Sequence, residues 1–167
     1  KRGTPAFPHG FELTLRPHKL DEPKRLREPS LIFVNSMSDM FWEKIDDAYR
    51  DRIVDVIDAT PQHEYQVLTK RPERMLDYSR RRALPRNLWA GVSIENARVG
   101  RARLEVLKKV RAEIHFISAE PLLGDLAALD LAGLGWVITG GESGLHLLLP
   151  RWSSQPGLVR RLDPGDP

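Results

Sequence analysis

The sequence predicts an α/β fold, a partial (β/α) barrel with parallel strands. Three observations predict it. Short apolar runs recur at residues 31–34, 65–68, 88–92, 114–117 and 135–138, and each fits a buried strand. Stretches of helical character separate most of them, which is the cadence of βα units and calls for a parallel sheet. Each run ends in a polar loop: NSMSD, TKRPER, SIEN, SAE and TGGESG. In a parallel sheet or barrel these loops meet on one face, where such folds carry their chemistry.

Taken in order, residues 11–15 (FELTL) alternate apolar and polar ahead of Pro17 and predict a sixth strand. Residues 18–27 predict a short basic helix, made irregular by Pro23. A long amphipathic helix is expected over 41–59. Ile45, Ala48, Tyr49, Ile53, Val56 and Ile57 follow helical spacing there, opposite Lys44, Asp47, Arg50, Asp51, Arg52 and Asp55. Ser38 or Asp39 is its expected N-cap, and Thr60-Pro61 closes it. Pro72 suits the first turn of a helix running to about Arg81. Asn96 is expected to cap a helix over 97–110, and a short turn or helix follows at 126–131. A closed eightfold barrel needs roughly 200 residues or more, so the expected barrel is partial or truncated. Residues 1–144 form that domain. Residues 145–167, broken by Pro150, Pro156, Pro164 and Pro167, predict an irregular, partly disordered tail.

Composition narrows the classes. The chain has 167 residues, 41% hydrophobic and 29% charged, which suits one soluble domain with a real core. No apolar run approaches the roughly 18 residues of a membrane span. No signal-peptide pattern is present, so the expected compartment is the cytoplasm. Cys is absent, which excludes disulfides and thiolate metal sites in this chain. The net charge of +3 allows an anionic ligand without demanding nucleic acid. The first residue is Lys1 rather than Met, and the sequence reads as a fragment.

The candidate site residues lie in the strand-end loops. Asn35 and Ser36 follow the first strand. Thr69, Lys70 and Arg71 follow the second, beside a helix N-terminus, and could hold an anion. Ser93, Glu95 and Asn96 follow the third, Ser118 and Glu120 the fourth. Thr139, Glu142 and Ser143 follow the fifth, on the Gly140-Gly141 turn. Glu95, Glu120 and Glu142 fall in successive loops. They could bind a cationic group, hold a divalent metal or divide acid and base roles. Surface ion pairs with Lys70 and Arg71 are the competing reading. Lys70 and Glu120 are expected on the same face, two strands apart, paired directly or gripping the two ends of a zwitterionic ligand. The five histidines show no ligand spacing, and no Walker-type loop or dinucleotide fingerprint is present.

The motifs NSMSDMF, TPQHEYQVLTKRPERM, LWAGVSIEN, FISAEPLLG and WVITGGESG, in this order, closely resemble the phage gp-thirty-seven/gp-sixty-eight family of uncharacterised proteins. The resemblance spans about residues 3–144. That family is similar to radical S-adenosylmethionine enzymes with a partial (β/α) barrel. The resemblance implies S-adenosylmethionine and a [4Fe–4S] centre for the intact family, the cluster held by an N-terminal cysteine segment that this sequence lacks. It implies no substrate. As given, the chain is expected to bind no cluster and to be inactive. Asn35, Ser36, Thr69, Lys70, Ser93, Glu95, Glu120 and Glu142 lie in the matching motifs and are the implied cofactor-pocket residues. The last 23 residues depart from the family pattern and could be out-of-frame translation. The alternative function is a non-catalytic nucleotide or nucleic-acid binding module, supported by Lys24, Arg25, Arg27, Lys70, Arg71 and Arg80–Arg82. Salt-dependent binding would mark it. No membrane partner is expected.

Overall fold

The computed structural model describes residues 12–35, 38–140 and 160–161. Five parallel strands run in sequence order: β1 Leu31–Val34, β2 Glu64–Thr69, β3 Leu88–Ser93, β4 Ile114–Ala119 and β5 Trp136–Thr139. They form a curled half-barrel. Three helices occupy the first three crossovers: α1 Asp47–Asp58, α2 Pro72–Arg81 and α3 Ala97–Leu107. Residues 160–161, β6, pair antiparallel with β5. The rest of the expected irregular tail lies outside the described residues. Among the described residues no helix is long and apolar enough to cross a membrane.

Local chemistry explains the helix limits. Asp46 caps α1 by accepting the Tyr49 N–H at 2.7 Å. At its far end the Thr60 hydroxyl returns to the Val56 carbonyl at 2.7 Å, ahead of Pro61. Pro72 opens α2, where its missing N–H costs nothing. Asn96 caps α3 through the Val99 N–H, as expected from the sequence.

Three expectations are corrected. Residues 12–15 of the expected first strand are unpaired chain, with Leu13 and Leu15 exposed, so neither a ladder nor core packing makes them a strand. Phe11 lies outside the described residues. The basic helix over 18–27 is two single 3-10 turns, Pro17–Lys19 and Pro23–Arg25, each set by a proline at its start. The long helix over 41–59 begins only at Asp47. Its first six residues stay in a turn because the Arg50 side chain, 2% exposed, donates to the carbonyls of Met40 and Trp42. Those carbonyls are thereby satisfied without helical bonds.

The two faces of the sheet differ. On the helix side, Tyr65, Val67, Leu88, Ala90, Val92, Ile117 and Ala119 pack with Ile53, Val54, Ile57, Met75, Leu104 and Leu107 in the core. The inner face is layered by register. Phe33, Gln66, Trp89 and Ile114 form one row, Leu68, Gly91, Phe116 and Trp136 the next, and Ser93, Ser118 and Ile138 the last. Gly91 has a packing role, because a Cβ there would overlap the Phe116 ring. Gly91→Ala is therefore expected to destabilise the fold by about 1–3 kcal/mol. Phe116→Leu in the same chain should recover part of the loss, because the two sites are in contact. Urea midpoints of the two variants check this.

Candidate functional site

The carboxyl ends of β2 to β5 gather the polar residues. Strand alternation decides which way each one turns. Thr69 continues the face of Tyr65 and Val67, so its hydroxyl turns to the helix side, where it is buried. It meets Asp39 there, at 2.8 and 2.9 Å from the two carboxylate oxygens. Asp39 also accepts the N–H groups of Phe41 at 2.8 Å and Lys70 at 3.2 Å, and the Arg71 guanidinium at 2.9 Å. Arg71 reaches on to Glu43 at 3.0 Å. The first strand-end loop is thus clamped onto the second. Asp39 is a clamp and not the helix cap the sequence suggested. The anion beside the N-terminus of α2 is the protein's own carboxylate.

Lys70 follows the phase of Gln66 and Leu68 and so extends the inner face. Its ammonium pairs with Glu95 at 2.9 Å, which corrects the expected pairing with Glu120. The reason is adjacency: Lys70 ends β2 and Glu95 follows the neighbouring β3, whereas Glu120 follows β4. Arg103 from α3 takes the other Glu95 oxygen at 3.2 Å and also bonds the Ser93 carbonyl. Partial burial raises the Glu95 pKa, but the Lys70 hydrogen bond and the Arg103 and Lys70 charges outweigh it, and its pKa is held below the ordinary value. Glu95 therefore stays ionised at neutral pH.

Glu120 is different. It is exposed, and its carboxylate accepts the Ser118 hydroxyl at 3.3 Å. Among the described residues no cation pairs with it. It lies against Gly140, where a Cβ would overlap its carboxylate. Backbone bonds stitch this corner: Leu122 N–H to the Gly140 carbonyl at 2.9 Å, Leu123 N–H to the Glu95 carbonyl at 2.9 Å, and Gly140 N–H to the Ala119 carbonyl at 3.3 Å. The loops after β3, β4 and β5 are thus held together.

Of the residues singled out from the sequence, Lys70, Ser93, Glu95 and Glu120 lie along this inner edge. Thr69 turns away to hold Asp39. Asn35 adopts a positive φ of 60° and accepts the Ser38 N–H at 2.9 Å, serving the turn; Asn tolerates that conformation better than most residues. Ser36 and Glu142 lie outside the described residues. Two participants escaped the sequence reading. Asp39 was legible only as a carboxylate before a helix, and Arg103 sits in mid-helix with nothing local to mark it. Among the described residues no three potential ligands are grouped to hold a metal ion.

The basic residues cited for nucleic acid are largely matched by carboxylates. Arg80 pairs with Asp77, Arg81 and Arg82 with Asp51, Arg82 also with Asp55, and Lys24 with Asp21. Hydrogen bonds from Arg81 and Tyr78, against a small burial penalty, lower the Asp51 pKa to about 2. That side of the helices is a charge network, not an open basic patch.

The chain belongs to a family of proteins of unknown function, DUF5131, whose model matches residues 2–155. Neither a curated protein nor a solved structure matches it.

Proposed function

We propose that the strand-end face binds a small zwitterionic ligand of the amino-acid kind, and that this ligand is S-adenosylmethionine. The chain is then the cofactor-binding barrel of a radical S-adenosylmethionine type enzyme, in keeping with the motifs it shares with the phage family. One observation carries the reading. Glu120, without a cation among the described residues, stands one loop away from the charge line Lys70–Glu95–Arg103. Together these four groups have no net charge but opposite local poles. A ligand carboxylate is attracted to Lys70, which is 56% exposed. A ligand ammonium is attracted to Glu120. A zwitterion satisfies both without leaving a charge unpaired.

The residues fit such a methionyl group and do not fit an iron–sulfur cluster. The sequence contains no Cys, and the cluster requires thiolates. No redox step is assigned to this chain; its residues bind and orient.

Calorimetric titration of the full chain with S-adenosylmethionine and with methionine tests the proposal. Lys70→Ala and Glu120→Gln are each expected to weaken binding at least tenfold. Both side chains are exposed, so each should change stability by no more than about 0.5 kcal/mol. Unchanged affinity in a folded Glu120→Gln variant removes that residue from the site. Salt-dependent binding of nucleic acid, with no binding of either small molecule, replaces this reading by the binding-module one.

A further inference from the structure

Lys70 is already occupied before any ligand arrives. Its ammonium meets one Glu95 oxygen at 2.9 Å, while the other Glu95 oxygen faces Arg103 at 3.2 Å. One carboxylate thus bridges two cations, and the two are held differently. The Lys70 side chain is 56% exposed, and its ammonium has no other partner among the described residues. The Arg103 side chain is 20% exposed, and its guanidinium also donates to the Ser93 carbonyl. Arg103 is therefore fixed to the end of β3, and Lys70 is free to turn on its four-carbon stem.

Glu95 is fixed in its backbone and mobile only in its side chain. Its carbonyl accepts the Leu123 N–H at 2.9 Å, which ties it to the loop after β4. The carboxylate is ionised at neutral pH. A ligand carboxylate that approaches Lys70 meets this negative charge, and like charges at one ammonium repel. Without a second cation, Glu95 would have to stay on Lys70 or stand half-buried and unpaired, which is costly. Arg103 removes that cost, because its charge-assisted bond remains when Lys70 turns away.

We infer that Glu95 is a built-in competitor of the ligand carboxylate at Lys70, and that Arg103 is the positioning residue that keeps Glu95 when the ligand takes Lys70. The inference rests on the zwitterion reading of the strand-end face and adds a rule of specificity to it. Ligands with an ammonium alone leave the Lys70–Glu95 pair closed. Ligands with a carboxylate open it, and rejection of the others comes from a contact already made within the protein.

Calorimetric titration of the full chain with methionine and with methionine amide, which lacks the carboxylate, tests the inference. Glu95→Gln is expected to tighten methionine binding about fivefold, because a neutral amide competes less, and to give methionine amide no gain. Arg103→Ala should weaken methionine binding about fivefold, and Arg103→Lys, which keeps the charge, should weaken it less. In the Glu95→Gln background, Arg103→Ala should change the affinity by less than about twofold, since the two side chains act as one unit. Thermal melts establish that each variant is folded, and Glu95→Gln decides the matter if Arg103→Ala does not fold. Unchanged or weaker methionine binding in Glu95→Gln overturns the inference. So does an equal gain for methionine amide, or an equal Arg103→Ala loss in both backgrounds, which would make Arg103 purely structural. A parent chain that binds neither methionine nor S-adenosylmethionine removes the strand-end reading and this inference with it. A parent that binds methionine as tightly as Glu95→Gln does removes this inference alone.

Discussion

Asp39→Ala is expected to cost about 3–5 kcal/mol and to detach the first strand-end loop from the second. The side chain, 19% exposed, collects a hydroxyl, two backbone N–H groups and a guanidinium. Removing it leaves the Thr69 hydroxyl, on a residue 1% exposed, without its acceptor. It also releases Arg71, whose remaining partner Glu43 is largely exposed. Asp39→Asn keeps the shape but loses the charge and half the acceptors, so its cost should be about half as large. Denaturant midpoints for the pair measure the difference. A loss below about 1 kcal/mol for Asp39→Ala would show that water replaces the carboxylate there.

Arg50→Ala is expected to cost about 3 kcal/mol, from the Met40 carbonyl left unmatched, the bond lost at the Trp42 carbonyl, which keeps the Ile45 N–H, and a cavity beneath α1. The guanidinium bonds the carbonyls of Met40 and Trp42 at 3.0 and 2.8 Å and pairs with Asp47. These bonds hold the turn that carries Met40, Phe41 and Ile45 into the core. Lys in place of Arg offers a single ammonium where the fork makes three contacts, so Arg50→Lys should recover less than half. Thermal melts in parallel with the urea series check both values.

The parallel half-barrel was legible because its signals are local and repeated. Five apolar runs, each closed by polar residues, require only period and length to read. Asn96 and Pro72 announce their helices by position alone. Asp39 shows where such reading stops. Its chemistry looks like a cap, yet Thr69 and Arg71 draw it away, and they lie about 30 residues later in the chain. Arg50 has the same history. Its spacing put it on a solvent face, while its donors belong to carbonyls eight and ten residues earlier. The Lys70–Glu95 pair follows from strand order, which the cadence implied, but Arg103 reaches the same carboxylate from a helix whose sequence does not mark it. FELTL alternates like a strand, but its leucines bury no surface against the core, and alternation alone does not make one.

The most direct test of the strand-end site is a two-dimensional amide NMR titration of the full chain with S-adenosylmethionine. The largest shift changes are expected at the amides of Lys70, Glu95, Glu120 and Gly140, with the helices α1 and α2 unaffected. Lys70→Ala should abolish these changes at the same ligand concentration. Shifts confined to the Asp51–Arg81 network, or no shifts at all in the folded chain, would contradict the assignment of this face as the ligand site.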